Sequence, residues 1–262
     1  MKMTSPRPFR WLLPALAALA ACQNVPYTKR SQLLLVSAGE EASLGDSTYK
    51  DALSKAKLSS DAGATAMVRR VGERIAVAAD KPDFKWEFNL IDDPKTVNAW
   101  CLPGGKVAVY SGILPVTQDE NGLAVVMGHE IAHALARHGS ERMSQGLLAQ
   151  LGGVALGAAM ASKPGQTQQL AQQAYGAGAT VGVLLPYGRA QESEADHIGL
   201  ILMAKAGYEP GAAVPFWGRM AQAAGGKDST PEFLRTHPAD DKRIAEIEKN
   251  LPEARGFLKK SP

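Results

Sequence analysis

Cysteine is scarce in this 262-residue chain, which holds only Cys22 and Cys101. Cys22 directly follows a short apolar segment at the N-terminus, where covalent modification is expected to consume its thiol. Cys101 would then be the only free thiol, which excludes an intramolecular disulfide and the class of small disulfide-stapled domains. The chain must therefore be held by a hydrophobic core, and its length is sufficient for one sizeable domain.

The chain also has no excess of positive charge once its N-terminal segment is left out. Lys2, Arg7 and Arg10 lie in the first 21 residues, and without them the 29 basic residues fall to the number of acidic ones, 26. No clustered basic face remains, which argues against a nucleic-acid partner. Long apolar runs are missing as well, because the N-terminal run at residues 11–21 is far shorter than the roughly 20 residues that span a bilayer.

Residues 1–21 have the form of a lipoprotein signal peptide, with a positive front, an apolar stretch and small residues before Cys22. The run Leu19-Ala20-Ala21-Cys22 resembles a bacterial lipoprotein box, which implies cleavage before Cys22 and lipidation of its thiol. More than one acyl chain would anchor the protein stably to a membrane surface. Gln23 then favours the periplasmic side of the outer membrane of a Gram-negative bacterium. An ordinary signal peptide with an incidental cysteine is the alternative.

The remaining chain is expected to form a tether over residues 22–40 and one α+β domain over residues 41–262. Apolar periodicity predicts helices over residues 43–57 and 61–79. Three strands are expected next, the last two as a hairpin: residues 84–91, 97–102 and 106–110. The predicted fold is mostly helical, with a small antiparallel sheet over the helix that follows.

That helix is predicted over residues 117–144, with Thr117 and Glu120 as a capping box, and it contains the run His129-Glu130-Ile131-Ala132-His133. Two histidines four residues apart lie on one helix face, so both imidazoles can reach the same cation. Glu130 can reach a water held by that cation and act as a general base. Apolar neighbours predict that this helix is buried, where unpartnered histidines would be costly. The pattern therefore predicts a catalytic zinc site.

A catalytic zinc site takes three protein ligands, so a third must come from elsewhere in the chain. His138 is five residues after His133, points away from the predicted metal face and is interpreted as structural. A predicted helix over residues 191–206 offers Glu192, Glu194 and Asp196. Glu192 and Asp196 share a face, whereas Glu194 points elsewhere. Spacing leaves open which of the pair binds zinc and which orients a ligand histidine.

Together with Asn98-Ala99 and Leu102-Pro103-Gly104-Gly105, the two motifs resemble the HtpX-like metallopeptidase family, which includes the CAAX prenyl endopeptidases. The resemblance extends over residues 31–247. It implies a gluzincin-type fold and one zinc ion per chain, with Glu192 as the third ligand beside His129 and His133. It also implies that Asp196 orients a ligand histidine. Lipoprotein members of that family act in the periplasm of Gram-negative bacteria.

The predicted function is zinc-dependent cleavage of unfolded or misassembled envelope proteins, as protein quality control at a membrane surface. An extended substrate would pair with the strand at residues 97–102, where Cys101 is interpreted as a small buried hydrophobe. A lipoprotein chaperone or assembly factor for outer-membrane proteins, with little proteolysis, is the first alternative. A purely structural zinc site is the second. A Gly/Ala-rich helical hairpin at residues 146–186, between the zinc motifs, is read as close packing or as a mobile or membrane-facing element.

His237 is the last candidate site residue, because it lies in a predicted loop before Pro238 and can project from it. Two functional roles fit. It could donate a hydrogen bond to the developing oxyanion, or it could occupy the open position of the metal at rest, as a latch. A surface or capping histidine is the alternative.

Overall fold

A computed structural model describes residues 22–223, 230–238 and 241–258. The predicted signal peptide lies outside the described residues. The strands are β1 (Cys22–Asn24), β2 (Ser31–Leu33), β3 (Glu87–Ile91), β4 (Ala99–Leu102) and β5 (Lys106–Tyr110). The helices are α1 (Ala38–Lys55), α2 (Ala62–Ala79), α3 (Leu114–Thr117), α4 (Glu120–Leu135), α5 (His138–Met160), α6 (Gly165–Ala179), α7 (Leu185–Lys205), α8 (Ala213–Ala223), α9 (Glu232–Thr236) and α10 (Asp241–Arg255). The predicted mostly helical α+β fold is confirmed.

The larger sheet has the order β3-β5-β4. The hairpin of β4 and β5 is antiparallel as predicted, with Cys101 opposite Val107. β3 and β5 run parallel, so this sheet is mixed and not wholly antiparallel. The reason is topological. β4 lies on the far side of β5 from β3 and runs opposite to both strands, so the chain reverses at β4 and reverses again into β5, which then runs the same way as β3. β4 is thereby left at the edge of the sheet.

Helix α4 forms the centre of the core, because every residue from Gly122 to Leu135 is buried. It packs against α7, α2 and β4. Gly128 and Gly199 lie at the crossing of α4 and α7, where a Cβ atom on Gly199 would be 3.0 Å from the carbonyl carbon of Gly128. This close approach brings the two motif-bearing helices together.

The single helix predicted over residues 117–144 is wrong in two respects. Asp119, not Thr117, is the N-cap of α4, and its side chain accepts a hydrogen bond from the Gly122 amide. Thr117 instead ends the short helix α3, and Gln118 after it has a positive φ of 67°. The helix also breaks at Arg137, whose φ of 58° is left-handed. Contacts of the Arg137 side chain with Glu41, Gln23 and the Val36 carbonyl hold this break in place.

The N-terminal hairpin of β1 and β2, within the segment predicted as a tether, packs on the domain. Val25 lies in the turn between β1 and β2, and its side chain is fully buried in the main core. Lys205 of α7 donates a hydrogen bond to the Tyr27 hydroxyl, 3.0 Å away. Helix α1 follows directly, with Ser37 and Glu40 forming a capping box.

A long helical hairpin projects between the two motifs. It consists of α5 and α6, and a π-helical turn at Thr180–Leu184 joins α6 to α7 without a loop. None of the residues of α6 is buried. Exposed apolar side chains are concentrated on this hairpin and include Leu151 and Val154. Within residues 22–223, 230–238 and 241–258, no helix combines the length and the apolar character needed to cross a membrane.

Candidate metal centre

Three elements bring the predicted ligands to one point. His129 and His133 project from successive turns of α4, Glu192 comes from α7, and His237 is the C-cap of α9. One potential ligand atom from each of these four residues lies within 4.8 Å of all the others. The two histidine Nε2 atoms are 3.1 Å apart. Glu192 completes the group, with its carboxylate oxygens 3.3 Å from Nε2 of His129 and 3.4 Å from Nε2 of His133.

This donor set fits a divalent metal such as zinc. It offers two imidazole nitrogens and a carboxylate, the ligand types of catalytic zinc sites. Glu130 adds a second observation, because its Oε1 is buried and accepts no hydrogen bond from the described residues. Its one ionic contact among the described residues is Nε2 of His237, 3.4 Å away, and a buried carboxylate oxygen without a hydrogen bond is costly unless a further polar group faces it. A metal-bound water beside the ligands would meet that need.

Asp196 orients the first histidine. Its Oδ1 is 2.9 Å from Nδ1 of His129, so the ring directs Nε2 toward the other ligands. Arg243 of α10 holds Asp196 through two hydrogen bonds of 2.7 and 2.8 Å and lies 3.6 Å from Glu192. The guanidinium also stacks on the ring of Trp217. Sequence reasoning did not identify Arg243, because nothing local distinguishes it from the other basic residues of an amphipathic helix.

The second histidine is oriented by His138, which sequence reasoning treated as structural. Nδ1 of His138 is 2.8 Å from Nδ1 of His133, and its Nε2 is 3.0 Å from Oε2 of Glu194. Glu194 does point away from the metal-facing side, as its helical phase predicts, but that direction leads to His138. The one available signal was a buried acid in a helix that also carries the ligand Glu192.

Burial and pairing shift the pKa values of the site in opposite directions. Burial raises the pKa of Glu130, only partly opposed by the charges of His237 and His129, which favours a carboxylate able to accept a proton. Burial lowers the pKa of His133 and of His138, so both imidazoles are neutral. Burial also opposes charge on His129, but its contacts with Asp196 and Glu192 outweigh this and raise its pKa to about 9. For Glu192, contacts with the three histidines likewise outweigh burial and lower the pKa.

The edge strand β4 lies beside this group. It packs directly on α4, and burial and then the nearby charge of Glu130 raise the pKa of the Cys101 thiol. A thiol with a raised pKa is a poor nucleophile. The structure therefore places Cys101 near the site as an uncharged side chain, in line with its interpretation as a small hydrophobe.

The sequence profile of peptidase family M48 matches residues 63–251, which include every residue of the group. The chain belongs to peptidase family M48. The mitochondrial metalloendopeptidase OMA1 of Schizosaccharomyces pombe is 38% identical over 94% of this chain and 73% of its own length. OMA1 of Saccharomyces cerevisiae is 33% identical over 91% of this chain and 71% of its own length. The β-barrel assembly-enhancing protease of Escherichia coli is 28% identical over 86% of this chain and 47% of its own length.

These relationships confirm that this M48 chain is a metallopeptidase of the family that the motifs indicated. They contradict the predicted location in a Gram-negative envelope. Not only the two fungal relatives but also those from cow and human are mitochondrial proteins. The prediction of an outer-membrane, periplasmic protein is therefore wrong. It rested on a four-residue box, on Gln23 and on the lipoprotein members of the family that the motifs resemble, and none of these is a property of the metal centre itself. Lipidation of Cys22 stays a prediction, and the structure shows this residue exposed.

Proposed function

We propose that this M48 chain is a zinc-dependent endopeptidase that cleaves extended segments of unfolded or misassembled proteins at a membrane surface. One observation carries the proposal: Oε1 of Glu130 is buried, accepts no hydrogen bond from the described residues, and lies 3.4 Å from Nε2 of His237 beside the donor set of His129, His133 and Glu192. A purely structural site would have no use for a buried carboxylate oxygen that accepts no hydrogen bond next to its ligands.

His129, His133 and Glu192 would hold the zinc ion. When bound, the ion supplies a Lewis acid for the scissile carbonyl and a water whose pKa is near 7. Glu130 takes up the proton of the attacking water at Oε1 and passes it to the leaving amine. Its buried surroundings suit this task, because they raise its pKa toward the working pH. Asp196 keeps Nε2 of His129 directed at the site throughout.

The substrate is proposed to bind as an additional strand beside β4. This strand is at the sheet edge and packs on α4, next to Glu130. Backbone pairing at a sheet edge accepts many sequences, because main-chain hydrogen bonds supply most of the affinity. It requires a segment that is extended and unpaired, a condition that unfolded proteins meet and folded proteins rarely do. This geometry supports unfolded or misassembled proteins as the substrate class.

His237 is proposed to act as a latch. Its Nδ1 is 2.7 Å from Glu192 and 3.1 Å from Nε2 of His129, and its Nε2 is 3.4 Å from Glu130. The imidazole thus lies between a ligand and the base, where the reacting carbonyl must enter. Its ring would have to move aside for catalysis. A donor to the oxyanion would have to lie at the edge of the space that the carbonyl enters. Because the His237 ring lies within that space, its position favours the latch role.

The membrane contact is proposed to involve the α5–α6 hairpin. Lys163 is the only charged residue between Arg142 and Arg189. An apolar groove of about 760 Å³ lies between this hairpin and β2, and both Cys22 and Leu148 line it. Cys22 and the hairpin therefore line the same apolar groove. Exposed apolar helices of low charge suit the interfacial region of a bilayer.

The test of the proposed function is Glu130→Gln. The variant is expected to bind Zn²⁺ like the wild type and to lose cleavage of an unfolded protein, such as casein, by about 10²–10⁴-fold. Glu120, in the first turn of the same helix, is half-buried and pairs with Arg70 instead of the metal group; Glu120→Gln is the matched control and should keep full activity. Retained cleavage by Glu130→Gln would refute the mechanism. A wild type that binds casein but never cleaves it would favour the chaperone alternative.

A further inference from the structure

A line of polar contacts leads from ligand His133 out to the N-terminal hairpin. His133 contacts His138 through their Nδ1 atoms, and His138 contacts Glu194. Two residues between β1 and β2 then reach Glu194: Thr28 donates a hydrogen bond from its hydroxyl, and Arg30 donates from Nε over 2.9 Å. His138 is fully buried and Glu194 is 7% exposed, so solvent cannot easily replace these partners.

The order of donors and acceptors along this line determines which nitrogen of His133 faces the metal. A carboxylate only accepts, so Nε2 of His138 donates to Glu194. The two Nδ1 atoms are 2.8 Å apart, so one of them donates and the other accepts; with the proton of His138 on Nε2, its Nδ1 accepts from Nδ1 of His133. The remaining lone pair of His133 is on Nε2, which is the atom directed at His129 and Glu192. Metal ligands of this kind depend on the partner of their second nitrogen.

Arg30 is the cation on which this arrangement depends. Besides Glu194, it forms two hydrogen bonds, of 2.6 and 2.8 Å, to Glu141 of α5, whose side chain is also buried. Without Arg30, two buried carboxylates would lie close together and would lose a shared partner, which is strongly unfavourable. Glu194 would then turn toward solvent or toward other donors, and His138 would lose its acceptor.

We infer that Arg30 and Thr28 are positioning residues for the metal ligand His133, acting through Glu194 and His138. The N-terminal hairpin is thus part of the metal centre, although neither residue touches the ligands. Displacing the hairpin, which begins at Cys22, weakens metal binding without altering any ligand. This inference rests on the proposed function, because it concerns the affinity of the site for zinc.

The experiment measures the Zn²⁺ dissociation constant of the full chain by competition with a chromophoric chelator. Arg30→Met is expected to bind Zn²⁺ about 10–100-fold more weakly than the wild type, the usual effect of losing a partner that orients a ligand. Arg30→Lys keeps the charge and should recover part of the affinity. The matched control is Lys205→Met, which removes another contact of the same hairpin, that with Tyr27, but has no route to His133.

Thermal unfolding of the metal-free proteins separates positioning from general stability. Arg30→Met and Lys205→Met should both lower the melting temperature, whereas only Arg30→Met should weaken Zn²⁺ binding. Wild-type affinity in a folded Arg30→Met, or equal weakening in Lys205→Met, would overturn the inference. If Arg30→Met does not fold, Thr28→Val and Glu194→Gln decide it by the same criterion. A wild type that binds no Zn²⁺ would instead refute the proposed function itself.

Discussion

At the scale of single residues, the side chain of His237 lies between Glu192 and Glu130, in the space that we propose a substrate carbonyl enters. If it is a latch, His237→Ala removes a competitor for that space, and basal cleavage of casein should rise severalfold with unchanged zinc content. His197→Ala is the control, since this histidine of α7 contacts Glu253 away from the site. A fall in rate of about a hundredfold would identify an oxyanion donor instead.

Substitution of Glu192 tests whether this residue is a metal ligand or only orients one. Glu192→Gln replaces a charged oxygen donor with a weaker neutral one, while the fold around α7 is kept. Zinc affinity should fall by more than the roughly 10–100-fold typical of orienting residues. Chelator competition on Glu192→Gln and Asp196→Asn checks the order. Stronger zinc loss in Asp196→Asn would reverse the assignment of the two acids.

At the scale of elements, the crossing of α4 and α7 sets the spacing of the site. A Cβ atom on Gly199 would meet the Gly128 backbone at 3.0 Å, and neither backbone can move without moving a ligand helix. Gly199→Val should therefore lower the free energy of unfolding by about 1–3 kcal/mol and weaken zinc binding as well. Calorimetry and chelator competition would measure the two effects.

Gly188→Ala is the matched control on the same helix, because nothing lies within 4 Å of a Cβ atom at that position. Alanine is a better helix former than glycine, so this variant should be neutral or stabilised by up to about 1 kcal/mol. Equal melting temperatures for the two variants would show that the crossing tolerates a larger separation and that the close approach does not set the site.

At the scale of the whole molecule, the α5–α6 hairpin and Cys22 line a common apolar groove, and we expect that surface to bind membranes. A Cys22→Ser protein, which cannot be lipidated, should still cosediment with phosphatidylcholine vesicles. Adding Leu151→Glu and Val154→Glu should weaken that binding by at least about tenfold, because two apolar side chains are replaced by charges.

Val77→Glu provides the comparison for those charged variants. Val77 lies on α2 and is 81% exposed, more than Leu151 at 63% or Val154 at 66%, yet it lies outside the hairpin. Its substitution should leave vesicle binding unchanged. Equal loss of binding in both proteins would mean that net charge, not the hairpin, governs the association.

The sequence by itself determined the features that depend on local spacing. Two histidines four residues apart must share a helix face, and Glu192 and Asp196 must do the same on α7. The mostly helical fold followed from such patterns, and so did the expectation that His129, His133 and one acid of α7 meet at one point. Alternation and turn residues also located β4 and β5, because the period of a strand and the chemistry of a turn are local.

Only the tertiary structure decided the rest, because those features depend on contacts between distant parts of the chain. The helix break at Arg137 is held by residues of the N-terminal segment. His138 contacts both His133 and Glu194, and Arg30, far away in sequence, donates a hydrogen bond to Glu194. The parallel pairing of β3 with β5 likewise follows from where β4 lies in the sheet. The helical phase predicts the direction of a side chain, but only the tertiary structure shows which residues that side chain contacts.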